Sequence, residues 1–526
     1  RWRKETNLVL YDSRRSLVKM ISSNSYIGLG ERFYEEEQPI PVSEPELFLW
    51  NDGLAEQLQI CEILGLDSCS NPGSNSKDFS EKDSKILAEY FSGNQIVPDS
   101  SPIALAYAGH QFGQFNPQLG DGRAHLLGEV LDRDGKYWDL QLKGSGPTSF
   151  SRGGDGRCGI GPAIREFLMS EAMHALGVPS TRCLSVVTTG EAVYRDRVLP
   201  GAVVSRIASS HLRVGSFQFY AARGDVEALQ LLRDFAIEKH CPEFGPSFGS
   251  EVRDDKERTL LLLDWAIEKQ IHLVVEWMRV GFIHGVLNTD NTALSGETID
   301  FGPCAMMGVY DPATVYSSID HMGRYAFGKQ PNIIHWNLAR FAECLLPLIK
   351  EDDKQSADKI ESMIAEVPDR ISEKYSSMMA SKFGIAAQVS SDSDLLNSLL
   401  EHFAVNKLDY TNTFNLLTES LSSGSAREQS EGLLKQFFPI WWSRIVDQEI
   451  SMEQVQALMR KNNPVVIPRN HHVEAAVKSA EEALDPALAN RMLEVMRNPY
   501  RSTTNTALYQ DLPVDGDKQY QTFCGT

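Results

Sequence analysis

The segment Gly281–Gly302, GFIHGVLNTDNTALSGETIDFG, holds the side chains best suited to chemistry. Asn291 offers a carboxamide, Asp300 a carboxylate, and Asp290 stands directly before Asn291. A carboxamide and a carboxylate brought together across a short turn suit Mg²⁺, which takes a few oxygen ligands and leaves the rest to phosphates. Position 286 is valine and accepts no proton, so Asp290 is the carboxylate between His284 and Asn291 that can serve as a base. A plainer reading is an Asx-rich loop that only turns the chain.

His284, Leu287 and Asn291 keep the spacing of the His-Arg-Asp-Leu-x-x-x-Asn loop of protein kinases, and Asp300-Phe301-Gly302 follows as their Asp-Phe-Gly does. Upstream, Lys143 ends the alternating run Tyr137–Lys143 (YWDLQLK), which predicts a strand. Glu166 lies in a predicted helix over Ala163–Leu176, with Pro162 in its first turn and Gly177 past its end. A strand lysine and a helix glutamate form the pair that kinases use to hold phosphates, although two unrelated surface charges would read the same way. Gly120, Gly122 and Arg123 form either a phosphate-approaching loop or an ordinary turn. SRGGDGRCGI (Ser151–Ile160) places Arg152, Asp155 and Arg157 among four glycines before the helix, as an anion site or a surface loop. Arg206 and Arg213 sit in a run of apolar and small residues, where an arginine forks onto phosphate or caps a surface.

Other chemistries find no support. HExxH, GxSxG, GxxxxGK[ST] and a helix-opening GxGxxG are absent. His471-His472 reads as a solvated pair rather than a metal site, and Trp441-Trp442 as core or interface.

The elements that must position these residues are predicted as β-rich from about Ile103 to Ile207 and helical from about Gly224. Leu260, Leu263, Ile267, Ile271, Val274 and Met278 mark one amphipathic helix ending near Gly281. Thr298–Asp300 reads as a short strand, residues 67–84 as a polar surface loop, and the stretch beyond Trp336 as mostly helix with a break near Ser422–Ser425. Two lobes with a cleft between them follow.

The 526 residues suffice for two to four domains and a sizeable core. The net charge of −20 repels nucleic-acid backbones, so no nucleic-acid partner is expected. No run approaches the ~20 apolar residues of a membrane helix. Eight scattered cysteines without a CxxC pair fit a reducing compartment. A cytoplasmic monomer is expected, with a trimmed mitochondrial form as the alternative.

AYAGHQFGQFNPQLGDGRA, LQLKGSG, FSRGGDGR, IREFLMSEAMHALG, HLRVGSFQFYAARGD, GFIHGVLNTDN, TIDFGP and GRYAFGKQP, in this order, closely resemble the selenoprotein O family. The resemblance implies an α+β, protein-kinase-like bilobal fold: an N-lobe over 1–215, a helical C-lobe over 216–350 and a C-terminal helical extension with a polar tail over 351–526. It implies AMP transfer from ATP to Ser, Thr or Tyr hydroxyls of proteins, with the nucleotide inverted relative to kinases. Gly120, Gly122 and Arg123 would then touch nucleotide, and Lys143, Asp155, Gly156, Arg206 and Arg213 would hold its phosphates. Glu166 would pair with Lys143, Asp290 would accept the proton, and Asn291 with Asp300 would bind Mg²⁺ or Mn²⁺. UMP transfer from UTP with Mn²⁺ and a non-catalytic nucleotide-binding module are the competing readings. Redox control through the tail residue Cys524 is a further theme of the family; Tyr316 occupies the position of its partner cysteine, and Cys304 is the nearest substitute.

Overall fold

Alternation along the central strands gives the N-terminal half of the chain two buried faces. The computed structural model describes residues 21, 23–66, 79–241, 254–349, 353–513 and 515–523. Its strands are β1 (Tyr34–Glu36), β2 (Glu46–Trp50), β3 (Ile103–Leu105), β4 (Gly109–Gln111), β5 (Gln114–Asn116), β6 (Ala124–Leu131), β7 (Tyr137–Lys143), β8 (Cys158–Gly159), β9 (Arg182–Tyr194), β10 (Val198–Ala208), β11 (Phe282–Ile283) and β12 (Ala305–Met306). The main sheet is antiparallel in the order β1-β3-β6-β7-β10-β9-β2, with β8 also against β10.

Side chains in a strand change face at every residue. Leu140 and Leu142 of β7 join Val203 and Ile207 of β10 in the core capped by Leu87 and Phe91 of the helix Glu81–Ser92. The intervening Asp139, Gln141 and Lys143 are buried on the opposite face. There the register sets Arg206 of β10 beside Gln141. That face is covered by the helix Ile160–Ala175, whose Ile164, Phe167 and Leu168 pack in one core with Val186 and Val204. A period of two thus carries Lys143 and Arg206 to the same side as Glu166.

The helical half begins at Val214 rather than Gly224, because the segment Val214–Ala221 closes a helix of its own. The helix Asp255–Val280 buries Leu263, Ile267, Ile271, Val274 and Met278, opens on the Asp254 side chain and stops at Gly281 with φ +79°. Thr298–Asp300 is no strand. Thr298 makes a single bridge to Ser180, and Asp300 has φ +63°, a left-handed conformation that strands exclude. The local pairing is taken instead by β11 with β12. Of the polar stretch 67–84, residues 67–78 lie outside the described part; Ser80 caps the helix that starts at Glu81. From Lys354 onward, nine helices are described as far as Met496. Trp441 is core, its indole N–H donating to the Phe383 carbonyl at 2.8 Å. No described helix is long and apolar enough to cross a membrane. A β-rich half carrying the strand lysine, followed by a helical half carrying the Asn–Asp loop, is the kinase-like α+β arrangement.

Candidate active site

A cleft of about 570 Å³ opens between the two halves and is lined by residues of both, Gly120, Gly122, Arg123, Lys143 and Arg206 from one and Asp290, Asn291 and Asp300 from the other. At its deep end Asp300 is the hub. Its Oδ1 accepts from Lys143 Nζ at 2.7 Å and Arg206 Nη2 at 2.6 Å, and its Oδ2 from Arg213 Nη1 at 3.1 Å. Lys143 also donates to Glu166 at 2.6 Å, and Arg206 reaches Glu166 through both Nε, at 2.8 Å, and Nη2, at 2.6 Å. Burial alone would raise both carboxyls. The surrounding cations outweigh it, so Asp300 is held well below the usual carboxylate range and Glu166 below it, Arg206 contributing most to each.

Three cations therefore converge where two anions stand. Arg213 is further held by the Asp290 carbonyl at 2.7 Å, by Asp121 at 3.7 Å and by the face of Tyr107, 4.6 Å away.

Asp290 differs from Asp300. Its Oδ2 accepts from Gln111 Nε2 at 3.2 Å, while its buried Oδ1 has no hydrogen-bond partner among the described residues. Burial raises its pKa to about 6, with Gln111 and Arg213 pulling only weakly the other way. A carboxyl tuned near neutrality suits proton transfer. The hairpin β4–β5 fixes this loop from above: the His110 N–H donates to Thr289 Oγ1 at 2.6 Å, and the Phe112 N–H to Asn288 Oδ1 at 3.1 Å. Gly109 must be small here, since a Cβ would lie 2.5 Å from Asp290 Oδ1. Asn291 spends its amide N–H on the Val286 carbonyl at 3.0 Å, which leaves its oxygen as the free donor. With the Asp300 carboxylate, that makes an oxygen donor set of the kind a hard divalent cation takes, so the residues present fit Mg²⁺ or Mn²⁺.

The glycine loops line the cleft mouth. Gly120 has φ +84°, and a Cβ on Gly122 would lie 2.8 Å from the Phe150 carbonyl. Asp155 lines the cleft with its charge paired to a neighbouring arginine. It accepts from Arg195 Nη1 at 2.7 Å and Nη2 at 2.9 Å and from the Arg157 N–H at 3.0 Å, so it shapes the loop and orients Arg195. Gly156 has φ +66°, and a Cβ there would stand 2.1 Å from backbone atoms of Gly146 and Pro147. Gly156→Ala is therefore expected to cost about 1–3 kcal/mol of stability, read as a lowered melting temperature.

Gln111, Asp121, Tyr107 and Arg195 join the site without having been singled out in the sequence. Gln111 and Tyr107 lie within AYAGHQFGQF, where glycine spacing hints at a constrained hairpin but not at which side chain faces the cleft. Cys304 is buried, bonded to the Phe301 carbonyl and pushed up to about 12 by burial, which disfavours the thiolate that disulfide exchange requires. Cys524 lies outside the described residues. Tyr316 is buried against Tyr520, with ring centroids 5.5 Å apart.

A family model described as "Protein adenylyltransferase SelO" matches residues 17–497. The chain belongs to the SelO family. Curated relatives of this SelO-family chain are named "Protein nucleotidyltransferase YdiU". That of Teredinibacter turnerae is 50% identical over 504 residues, 96% of this chain and 99% of its own. That of Pseudoalteromonas translucida is 47% identical, covering 95% and 99%, and that of Geobacillus kaustophilus 45%, covering 96% and 98%. Among solved structures, the ROP2 protein of Toxoplasma gondii, described as having a protein-kinase fold and no enzymatic activity, matches 65% of this chain and 84% of its own at 11% identity, with a TM-score of 0.22. Membership of a nucleotidyltransferase family agrees with a kinase-like cleft that lacks the kinase base at Val286.

Proposed function

We propose that the protein transfers AMP from ATP to Ser, Thr or Tyr hydroxyls of other proteins and releases pyrophosphate. The observation that carries this reading is the division of charge in the cleft. Lys143, Arg206 and Arg213 all reach the Asp300 carboxylate at its deep end, while the Asp290 carboxylate is paired with no lysine or arginine side chain among the described residues, Arg213 bonding only its backbone carbonyl. A triphosphate drawn terminal end first towards the three cations turns its α-phosphorus towards Asp290.

The acceptor hydroxyl gives its proton to an Asp290 carboxylate oxygen as its oxygen attacks that phosphorus. The bond from the α-phosphorus to the bridging oxygen breaks, and that oxygen leaves with pyrophosphate. Lys143, Arg206 and Arg213 stabilise the charge that develops on the leaving group. Asn291 and Asp300 would hold a divalent cation, Mg²⁺ or Mn²⁺, which supplies neutralisation of phosphate charge when bound. Gly120, Gly122 and the Gly156 loop let backbone approach the nucleotide, and Arg123 adds charge at the mouth. The bacterial relatives favour a bacterial setting over a mitochondrial one.

Incubation with α- or γ-labelled ATP tests the proposal. Label from the α-position is expected on protein and label from the γ-position is not; γ-transfer overturns it. Parallel reactions with α-labelled UTP in Mg²⁺ and in Mn²⁺ separate AMP from UMP donation, since the phosphate-binding residues do not discriminate bases.

A further inference from the structure

His471 and His472 are not a free solvated pair. Both rings turn towards one carboxylate of the C-terminal segment: His472 Nε2 lies 2.6 Å from Asp511 Oδ1, and His471 Nε2 lies 3.3 Å from Asp511 Oδ2. The two ring centroids are 4.1 Å apart. We propose that His471, His472 and Asp511 form a zinc site, separate from the cleft, that clamps the C-terminal segment onto the helix Asn470–Ala483.

The donor set is two imidazole nitrogens and one carboxylate oxygen, three protein ligands with a fourth position open to water. These ligand atoms lie within 4.8 Å of one another. Ligands about 2.0–2.1 Å from a tetrahedral ion are roughly 3.3 Å apart, so the site must contract by about an ångström and a half. The Asp511 oxygens already stand 2.6 and 3.3 Å from the two imidazole nitrogens, so the movement is shared with the His471 and His472 rings, which are partly exposed and free to turn. Both walls are otherwise fixed. Asn470 is buried and grips β12, donating to the Met306 carbonyl at 2.9 Å and accepting from the Met306 N–H at 2.9 Å. On the other wall Gln510 donates to the Val465 carbonyl at 2.8 Å and accepts through its own carbonyl from Asn412 at 2.9 Å. His472 also packs on Tyr509, with centroids 4.8 Å apart. Ligands carried on supported elements are what a metal site requires.

The consequence runs along the tail. Asp517 accepts from Asn470 at 3.2 Å; Thr522 bonds the Tyr316 carbonyl and the Ser318 N–H, and its hydroxyl donates to the Pro303 carbonyl at 2.7 Å. A clamp at Asp511 therefore secures the segment that ends against Pro303, three residues beyond Asp300.

The test uses the full chain stripped with EDTA, without nucleotide, titrated with Zn²⁺ alone. Calorimetry should give one zinc per chain that persists in Asp300→Ala, which removes the cleft carboxylate. Binding should weaken by at least about tenfold in His472→Ala and in Asp511→Asn. Zinc should also slow amide exchange over residues 511–522. Absence of saturable binding, or binding unchanged in both variants, would mean a plain His–Asp ion pair and overturn the proposal. Binding without tail protection would overturn the clamp. Asp511→Asn, at a half-exposed position, keeps the test open if His472→Ala misfolds.

Discussion

Asp300→Ala should abolish transfer while leaving nucleotide binding in place. The Asp300 carboxylate is the member of the proposed metal pair that carries charge, and metal stabilisation of phosphoryl charge is worth several kcal/mol. That corresponds to a fall in kcat of about 10³-fold or more. The same carboxylate also offsets Lys143, Arg206 and Arg213. Glu166 still serves Lys143 and Arg206, and the Asp290 carbonyl and Asp121 still serve Arg213. Removing one partner of a buried pair costs about 3–5 kcal/mol at most. The real cost should be smaller here, because 23% of the Asp300 side chain is exposed. The variant should therefore melt lower when free of nucleotide and recover on adding ATP with EDTA, since a polyanion replaces the missing charge. Retention of more than a tenth of the wild-type rate would remove Asp300 from the metal site.

How much of this was readable in the chain depends on how far apart the partners lie. Tyr137–Lys143 announces its strand by alternation, and Glu166 sits on a helix bounded by Gly159 and Gly177; the two need only one packing relation to meet. Asn291 and Asp300 belong to one loop, so spacing alone drew them together. Gln111 and Asp290 are 179 residues apart, and Arg206 and Asp300 are 94 apart. No local period encodes either contact. Thr-Ile-Asp has strand composition, which hides the left-handed backbone of Asp300, a conformation that aspartate tolerates better than most residues. The Arg195 partner of Asp155 lies in the turn between β9 and β10, 40 residues on, and no local pattern joins the two. The carboxylate beside the histidine pair likewise arrives from far along the chain, 39 residues after His472.

Asp290→Asn should reduce kcat by about 10²–10⁴-fold and should also remove the acidic limb of the pH profile. In the wild type, transfer should rise with pH through about 6, as the raised carboxyl gives up its proton and becomes able to accept one. The asparagine variant has nothing to titrate there, so its residual rate should be flat over that range. Stability moves in the opposite sense. The folded carboxyl binds its proton more tightly than the unfolded one, whose pKa is near 3.8. Its protonated form therefore contributes stability fully below pH 3.8, and this contribution is lost as pH rises through about 6. At pH 7.5 the wild type carries a buried anion whose Oδ1 has no hydrogen-bond partner among the described residues, a cost of up to about 3 kcal/mol for a two-unit shift. Asparagine removes that charge at nearly the same volume. The inactive variant should therefore melt higher than wild type at pH 7.5, and the gap should close towards pH 4. A variant less stable at pH 7.5, or one that keeps the acidic limb, would mean that Asp290 does not bear the proton. The conflict between charge burial and stability is the mark of a carboxylate kept for proton transfer rather than for holding the loop, whose anchors are Thr289, Asn288 and the β4–β5 hairpin.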